Sequence, residues 1–253
     1  MDTVLGDSLI DRYNFRDIGG LKAKDGRSVI TGRVFRSSDL CCPDENDKEY
    51  FRGLGIKRSF DFRSSTEQHA RVSLWLELSD SECWCFEGES SSGNFLQTLV
   101  GEGGSSDIDS REAIMNAYRR IYVELKPCMQ ALFHSLALSE TKHVYYCTFG
   151  KDRTGIVTAI LLSALGVSDE DVFEEYLLSK RFYGVSVQIM KSVLSGRYDL
   201  EESRHIWQPM MVVERRFIEA TFDCIRSEFG SVPNYVRVEL GVDLFSLRKQ
   251  LLF

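Results

Sequence analysis

Lys142-His143-Val144-Tyr145-Tyr146-Cys147-Thr148-Phe149-Gly150-Lys151-Asp152-Arg153-Thr154-Gly155, followed by IVTAILLSALG at 156–166, reads as a buried strand, a tight loop and a helix apolar almost all round. A thiol therefore ends a strand, and an arginine six positions on begins a helix. A loop of that length curls around one tetrahedral anion, with its successive N–H groups and the positive end of the helix dipole converging on it. The same field favours a thiolate, and an ordinary thiol, with a pKa of about 8.5, is a poor nucleophile until it ionises. Arg153 offers a planar, permanently charged fork that matches two oxygens of such an anion. Gly150 and Gly155 supply backbone freedom and close approach. A cysteine ending a buried strand is by itself most often a small core hydrophobe; Gly150, Arg153, Thr154 and Gly155 at these offsets turn that reading.

Working outward, Gly19-Gly20 and Asp25-Gly26 punctuate short β-prone runs and predict a tight hairpin leading into a strand near Val34. Ile56–Phe62 alternates and predicts another strand, and the span around Cys83–Phe86 a third. Residues 87–110 turn to Gly and Ser, which is loop chemistry, and form a candidate flap. Asp109 with Glu112 resembles an N-cap pair, and Ile114, Tyr118, Ile121, Leu125, Met129, Leu132 and Leu136 keep helical spacing that Pro127 kinks or divides. Ser168 with Asp171 caps the next helix. Met211, Ile218, Phe222, Ile225 and Phe229 fall on one stripe before a stop at Gly230, and Leu244, Leu247 and Leu251 mark a last helix. Residues 184–211 read as a helical hairpin or as part of a lid. Strands first and helices after predict one α/β domain over 1–253, a central mixed sheet flanked by helices.

Composition narrows the partners. The formal net charge is −7, which argues against nucleic-acid binding through a basic face. No apolar run approaches the roughly 20 residues of a bilayer crossing, and the first residues lack the basic start of a secretory signal, so a cytoplasmic protein without integral membrane association is expected. The seven cysteines are scattered, which fits reduced thiols. Adjacent Cys41 and Cys42, the close Cys83 and Cys85 and dispersed histidines do not make a zinc site, and no metal or cofactor is expected. A nucleotide-binding Walker loop is excluded, since Tyr145 and Asp152 stand where it needs Gly and Ser or Thr.

The stretch CTFGKDRTG at 147–155 resembles the Cys-x5-Arg-Thr loop of the protein tyrosine phosphatase superfamily. With NFRDIGG at 14–20, RVFRSSDL at 33–40, DFRSSTE at 61–67 and FGSVPNYVRVELGV at 229–242, it is similar to the atypical tyrosine and phosphoinositide phosphatases whose loop reads Gly-Lys-Asp-Arg. The resemblance runs over most of the chain. It implies a tyrosine phosphatase-like fold and metal-independent hydrolysis of a phosphate monoester through a phosphocysteine on Cys147. Phosphotyrosine on a protein is the expected substrate and a phosphoinositide the alternative. By the same resemblance the phosphate-binding loop is 147–154, Arg153 holds substrate and transition state, Asp152 protonates the leaving oxygen, and Thr154 stabilises the departing thiolate. Thr148, Phe149, Gly150, Lys151 and Arg63 then line the substrate, Lys151 favouring highly charged phosphoesters. Conventional relatives carry the acid on a flap, which leaves Asp107 and Asp109 as alternatives to Asp152.

Two positions depart from the family pattern. Tyr146 stands where histidine is usual, and Phe149 where a small residue is common. They motivate a rival reading, a phosphatase fold that captures phosphorylated ligands and turns them over poorly. Sulfur transfer and arsenate reduction also use a loop thiolate beside arginine, but the whole-chain resemblance counts against them. Arg16, Asp17, Arg36, Ser37, Asp61 and Arg63 read equally as an ion-pair network or as substrate-lining groups.

Overall fold

β5 (His143–Tyr146) alternates strictly, and the alternation organises the molecule: Val144 and Tyr146 enter one apolar cluster, Tyr145 and Cys147 another. In the computed structural model, which describes residues 3–40, 43–78, 82–88, 107–195 and 199–253, β5 is the central strand of a five-stranded sheet. The order is β1-β2-β5-β3-β4, with β1 (Arg16–Asp17), β2 (Val34–Ser37), β3 (Arg58–Asp61) and β4 (Glu82–Cys85). Only β1 runs antiparallel to its neighbour, so the sheet is mixed. All four parallel strands point their C-terminal ends the same way, which brings Ser37, Asp61 and Tyr146 level in register and gathers the loops that follow them.

One face carries α1 (Thr3–Tyr13), α2 (Glu45–Gly53) and α4 (Leu74–Leu78), while α3 (Ser65–Ala70) follows the loop after β3. Phe15 stacks on Phe35 at 5.5 Å, and Phe51 meets Trp75 edge-on at 5.2 Å, closing this smaller cluster. The other face is covered by α5 (Asp107–Glu124), α6 (Lys126–Leu138), α7 (Asp152–Leu165), α8 (Asp169–Leu177), α11 (Arg215–Phe229), α12 (Val232–Val238) and α13 (Leu244–Leu251). α7 lies inside this layer, and every residue from Arg153 to Leu165 is buried, which is why its sequence is apolar on all sides. Gly166, at φ +95, ends it in the left-handed conformation.

Pro127 divides the long helical run as its chemistry dictates: α5 ends at Glu124, and the proline sits in the first turn of α6, where it has no intrahelical bond to lose. The predicted stripe from Met211 to Phe229 is two helices, because α10 (Arg204–Met211) ends in extended backbone at Val212 and α11 starts at Arg215. The residues read as a lid or hairpin, 184–211, follow a 3-10 turn (Leu178–Phe182) as α9 (Tyr183–Leu194) and α10, where Met190, Leu194, Trp207 and Met211 cluster. Of the candidate flap, 89–106 lies outside the described residues, as do the side chains of Asp107 and Asp109.

Candidate active site

The loop after β5 owes its shape to residues far away in sequence. Asn14 donates through Nδ2 to the carbonyls of Phe149 (3.0 Å) and Gly150 (2.9 Å), and Arg36 donates from Nη2 to the Gly150 carbonyl at 2.7 Å. The Lys151 carbonyl accepts from the Gly155 amide at 2.9 Å. These carbonyls are thus taken up outside the loop. Among the described residues nothing accepts from the amides of Thr148 to Lys151, so the N–H groups are left for an anion. Gly150 is required here: its φ is +63, and a Cβ would stand 2.4 Å from the Ser37 carbonyl oxygen.

Beneath the loop lies a buried triad. Glu175 accepts from Arg16 Nε and from Arg36 Nη1, each at 2.7 Å, and all three side chains are at most 7% exposed. Burial would raise the Glu175 carboxyl, but the two arginines hold it below its ordinary range. Arg16, lowered by burial and by Arg36, comes down to about 10 and stays charged near neutrality. Two cations and one anion leave a net positive charge under the loop, which favours both a thiolate and a bound phosphate. Asn14 belongs to the same structure, since its Oδ1 accepts from Arg16 Nη1 at 2.6 Å.

Arg153 is oriented by Glu67. Nη1 donates to the Phe62 carbonyl (3.0 Å) and to Glu67 Oε2 (2.6 Å), and Nη2 donates to Glu67 Oε1 (2.7 Å). Three of the five guanidinium N–H groups are therefore engaged. The two that remain, Nε–H and the second on Nη2, have no partner among the described residues and lie on the same edge of the planar group, a ready fork for two oxygens. Burial would raise the Glu67 carboxyl, but Arg153, with hydrogen bonds from Thr148 and the Ser64 amide, drives it far below the usual carboxylate range. Glu67 was not singled out in the sequence, although Ser64-x-x-Glu67 is a capping box, and α3 begins there with both reciprocal bonds present.

The predicted residues come together unevenly. Cys147 (2% exposed), Thr148, Phe149, Gly150, Lys151, Asp152, Arg153 and Thr154 form the loop and the start of α7. The Thr154 hydroxyl is buried and has no hydrogen-bond partner among the described residues. Asp152, the first residue of α7, is partly exposed and accepts on Oδ1 from the Tyr118 hydroxyl of α5. Lys151 is buried, its ammonium donating to the carbonyls of Met210 and Val212 where α10 ends and lying 3.4 Å from Asp152 Oδ1. Phe149 packs against the cluster of Met190, Trp207 and Met211. Arg63 is buried and committed to Asp61, to Asp39 and to the Arg71 carbonyl, and its guanidinium lies 5.9 Å from the Tyr146 ring.

A sequence profile described as the tyrosine phosphatase family matches residues 8–252. The chain is 28% identical over 236 residues to a protein of Cupriavidus necator named as a candidate tyrosine-protein phosphatase, covering 93% of this chain and 84% of that one. It is 25% identical over 254 residues to the triple specificity protein phosphatase PtpB of Mycobacterium tuberculosis, covering 89% and 90% respectively. A tyrosine-protein phosphatase of Nostoc commune aligns over 148 residues at 25% identity, 58% of this chain and 48% of that protein.

Proposed function

Because the chain belongs to the tyrosine phosphatase family, we propose that it hydrolyses phosphotyrosine on proteins through a phosphocysteine on Cys147, with Asp152 as the proton donor. The observation that carries this reading is the coincidence, around one loop, of a strand-end thiol, unpaired amides and an arginine with two N–H groups to spare.

Each step has its group. The Cys147 thiolate attacks phosphorus as the bond to the leaving oxygen breaks, and that oxygen takes a proton from Asp152. The equatorial oxygens of the transition state accept from the loop amides and from the Arg153 fork, donors already placed before charge develops. Water, deprotonated by the same Asp152, then attacks the phosphocysteine, and the Thr154 hydroxyl donates to the sulfur as it leaves. Thr154 is free for this, since its hydroxyl has no other partner among the described residues.

Phosphotyrosine is favoured over a phosphoinositide by the position of Lys151. Its ammonium is buried and engaged by the end of α10, so it adds no open cation beside the loop for a second phosphate. Phe149 and the apolar cluster behind it offer a surface suited to an aromatic ring.

The test is phosphate release from a tyrosine phosphopeptide and from a soluble phosphoinositide at pH 5–7 in the presence of chelator. Turnover should survive chelation, vanish in Cys147→Ser, and favour the peptide. A wild-type protein that binds vanadate and releases nothing from either substrate would refute the catalytic reading, and preference for the phosphoinositide would reverse the substrate assignment.

A further inference from the structure

Asp152 does not stand alone at the start of α7. Its Oδ1 accepts from the Tyr118 hydroxyl, and Lys151 Nζ lies 3.4 Å from the same oxygen. The Tyr118 hydroxyl is 2.8 Å from that of Tyr176 on α8. A phenol has one proton, and that of Tyr118 goes to the carboxylate, so Tyr176 must donate to Tyr118. The result is a directed chain, Tyr176 to Tyr118 to Asp152 Oδ1. Oδ2 has no partner among the described residues.

Both phenols are buried, Tyr118 at 2% exposure and Tyr176 at 0%. Burial and the neighbouring Asp152 charge push both well above an ordinary phenol, so neither ionises in the working range, and both remain donors. Gly155 is what admits the second ring, because a Cβ there would meet Tyr176 Cδ2 at 2.8 Å. The charged groups facing this cluster are Lys151 and Arg153 beside Asp152, Arg36 beneath Gly155, and Glu214 near Tyr176.

We infer that Tyr118, seconded by Tyr176, is a positioning residue for the acid–base step: it pins Asp152 through Oδ1, so that Oδ2 alone carries the proton exchanged with the leaving group and with water. This rests on the reading of Asp152 as the proton donor. The arrangement does two things at once. It removes rotameric freedom from a carboxyl that must meet the leaving oxygen, and it stabilises the carboxylate formed when that proton is given up. No atom of Tyr118 or Tyr176 needs to touch substrate.

The experiment compares wild type, Tyr118→Phe, Tyr176→Phe, Asp152→Asn and the double variant Tyr118→Phe/Asp152→Asn. Each is assayed on phenyl phosphate, whose leaving group needs a proton, and on p-nitrophenyl phosphate, whose leaving group does not. Loss of the acid should cost roughly 100-fold in kcat/KM, which reports the steps through phosphocysteine formation alone, on phenyl phosphate and little on the nitro compound. Tyr118→Phe should show the same selectivity at roughly 10-fold, and Tyr176→Phe a smaller loss in the same direction. In Tyr118→Phe the basic limb of the kcat/KM–pH profile on phenyl phosphate should move to higher pH, because the donor to Oδ1 is gone. Added to Asp152→Asn, Tyr118→Phe should cost nothing more. Equal losses on both substrates with an unmoved pH limb, in both single tyrosine variants, would mean a packing role only and overturn the proposal. An Asp152→Asn variant that shows no dependence on leaving group would instead remove Asp152 as the acid, a failure told apart by that variant alone.

Discussion

Replacing Glu67 by glutamine tests the claim that this carboxylate, and not the loop alone, holds Arg153 for catalysis. Glu67→Gln keeps the volume and the carbonyl but puts an amide donor against a guanidinium that also donates. In the native protein the Glu67 side chain is 21% exposed and that of Arg153 6%, so the lost partner leaves a nearly buried cation uncompensated. Removing one member of a buried pair costs about 3–5 kcal/mol, and the partial exposure of Glu67 points to the lower end, about 3 kcal/mol. At about 2–4 °C per kcal/mol for a chain of this size, the melting temperature should fall by roughly 6–12 °C. Arg153 also loses the end-on contact that aims its free fork, so vanadate, which mimics the transition state, should bind at least about 10-fold more weakly.

The pH dependence has a definite sign. Glu67 is held below its unfolded value, so its contribution is complete above the ordinary carboxylate range and is lost as pH falls toward its depressed folded value. The difference in stability between wild type and Glu67→Gln should therefore be constant from about pH 5 to 8 and shrink below about pH 4. Thermal melts across that range and vanadate inhibition at pH 6 give the readout. A variant that melts within about 2 °C of wild type and binds vanadate equally well would refute the reasoning.

Asn14 sits at φ +51, so Asn14→Gly keeps the backbone and removes the side-chain amide that holds the Phe149 and Gly150 carbonyls and accepts from Arg16; activity on an aryl phosphate should drop by roughly 10-fold or more, measured as kcat/KM. Gly155→Ala forces a methyl to 2.8 Å from the Tyr176 ring, and denaturant unfolding should show a loss of about 1–3 kcal/mol. His143 is fully buried, and burial lowers it to about 4, so the unfolded chain binds its proton first as pH falls. Stability is complete above about pH 6.5 and should decline by up to about 3 kcal/mol toward pH 4 through this group, a slope that His143→Gln flattens in pH-dependent urea melts.

Much of the sheet could be read in advance because its signals are local. The β5 strand, the loop and α7 are contiguous, and alternation, a glycine and a run of apolar residues announce them within 25 residues. The four predicted strand regions contain β2, β3, β4 and β5, and Pro127 and Gly230 end helices where their backbone chemistry says they must. The stripe from Met211 to Phe229 misled because helical spacing persists across a break; only the structure shows that Val212 is extended and that Lys151 takes up the carbonyls around it. α1 and α2 went unread, since their sequences mix charged and apolar residues with no clear period, and α2 is secured by tertiary contacts such as Phe51 on Trp75.

The sequence by itself determined the loop to which the proposed chemistry is assigned, because Cys147, Gly150, Arg153 and Thr154 lie within one short stretch at fixed spacing. What the tertiary structure decided is what makes that loop rigid and directs its charges. Asn14, Arg36, Glu67, Tyr118 and Glu175 reach it from five separate segments, and no spacing along the chain relates them to Cys147. The parallel strands gather the loops after β2, β3 and β5 at one end, and Tyr118 of α5 and Glu175 of α8 reach them. A buried carbonyl or guanidinium in that crowded space must find its partner in whichever segment the fold brings there.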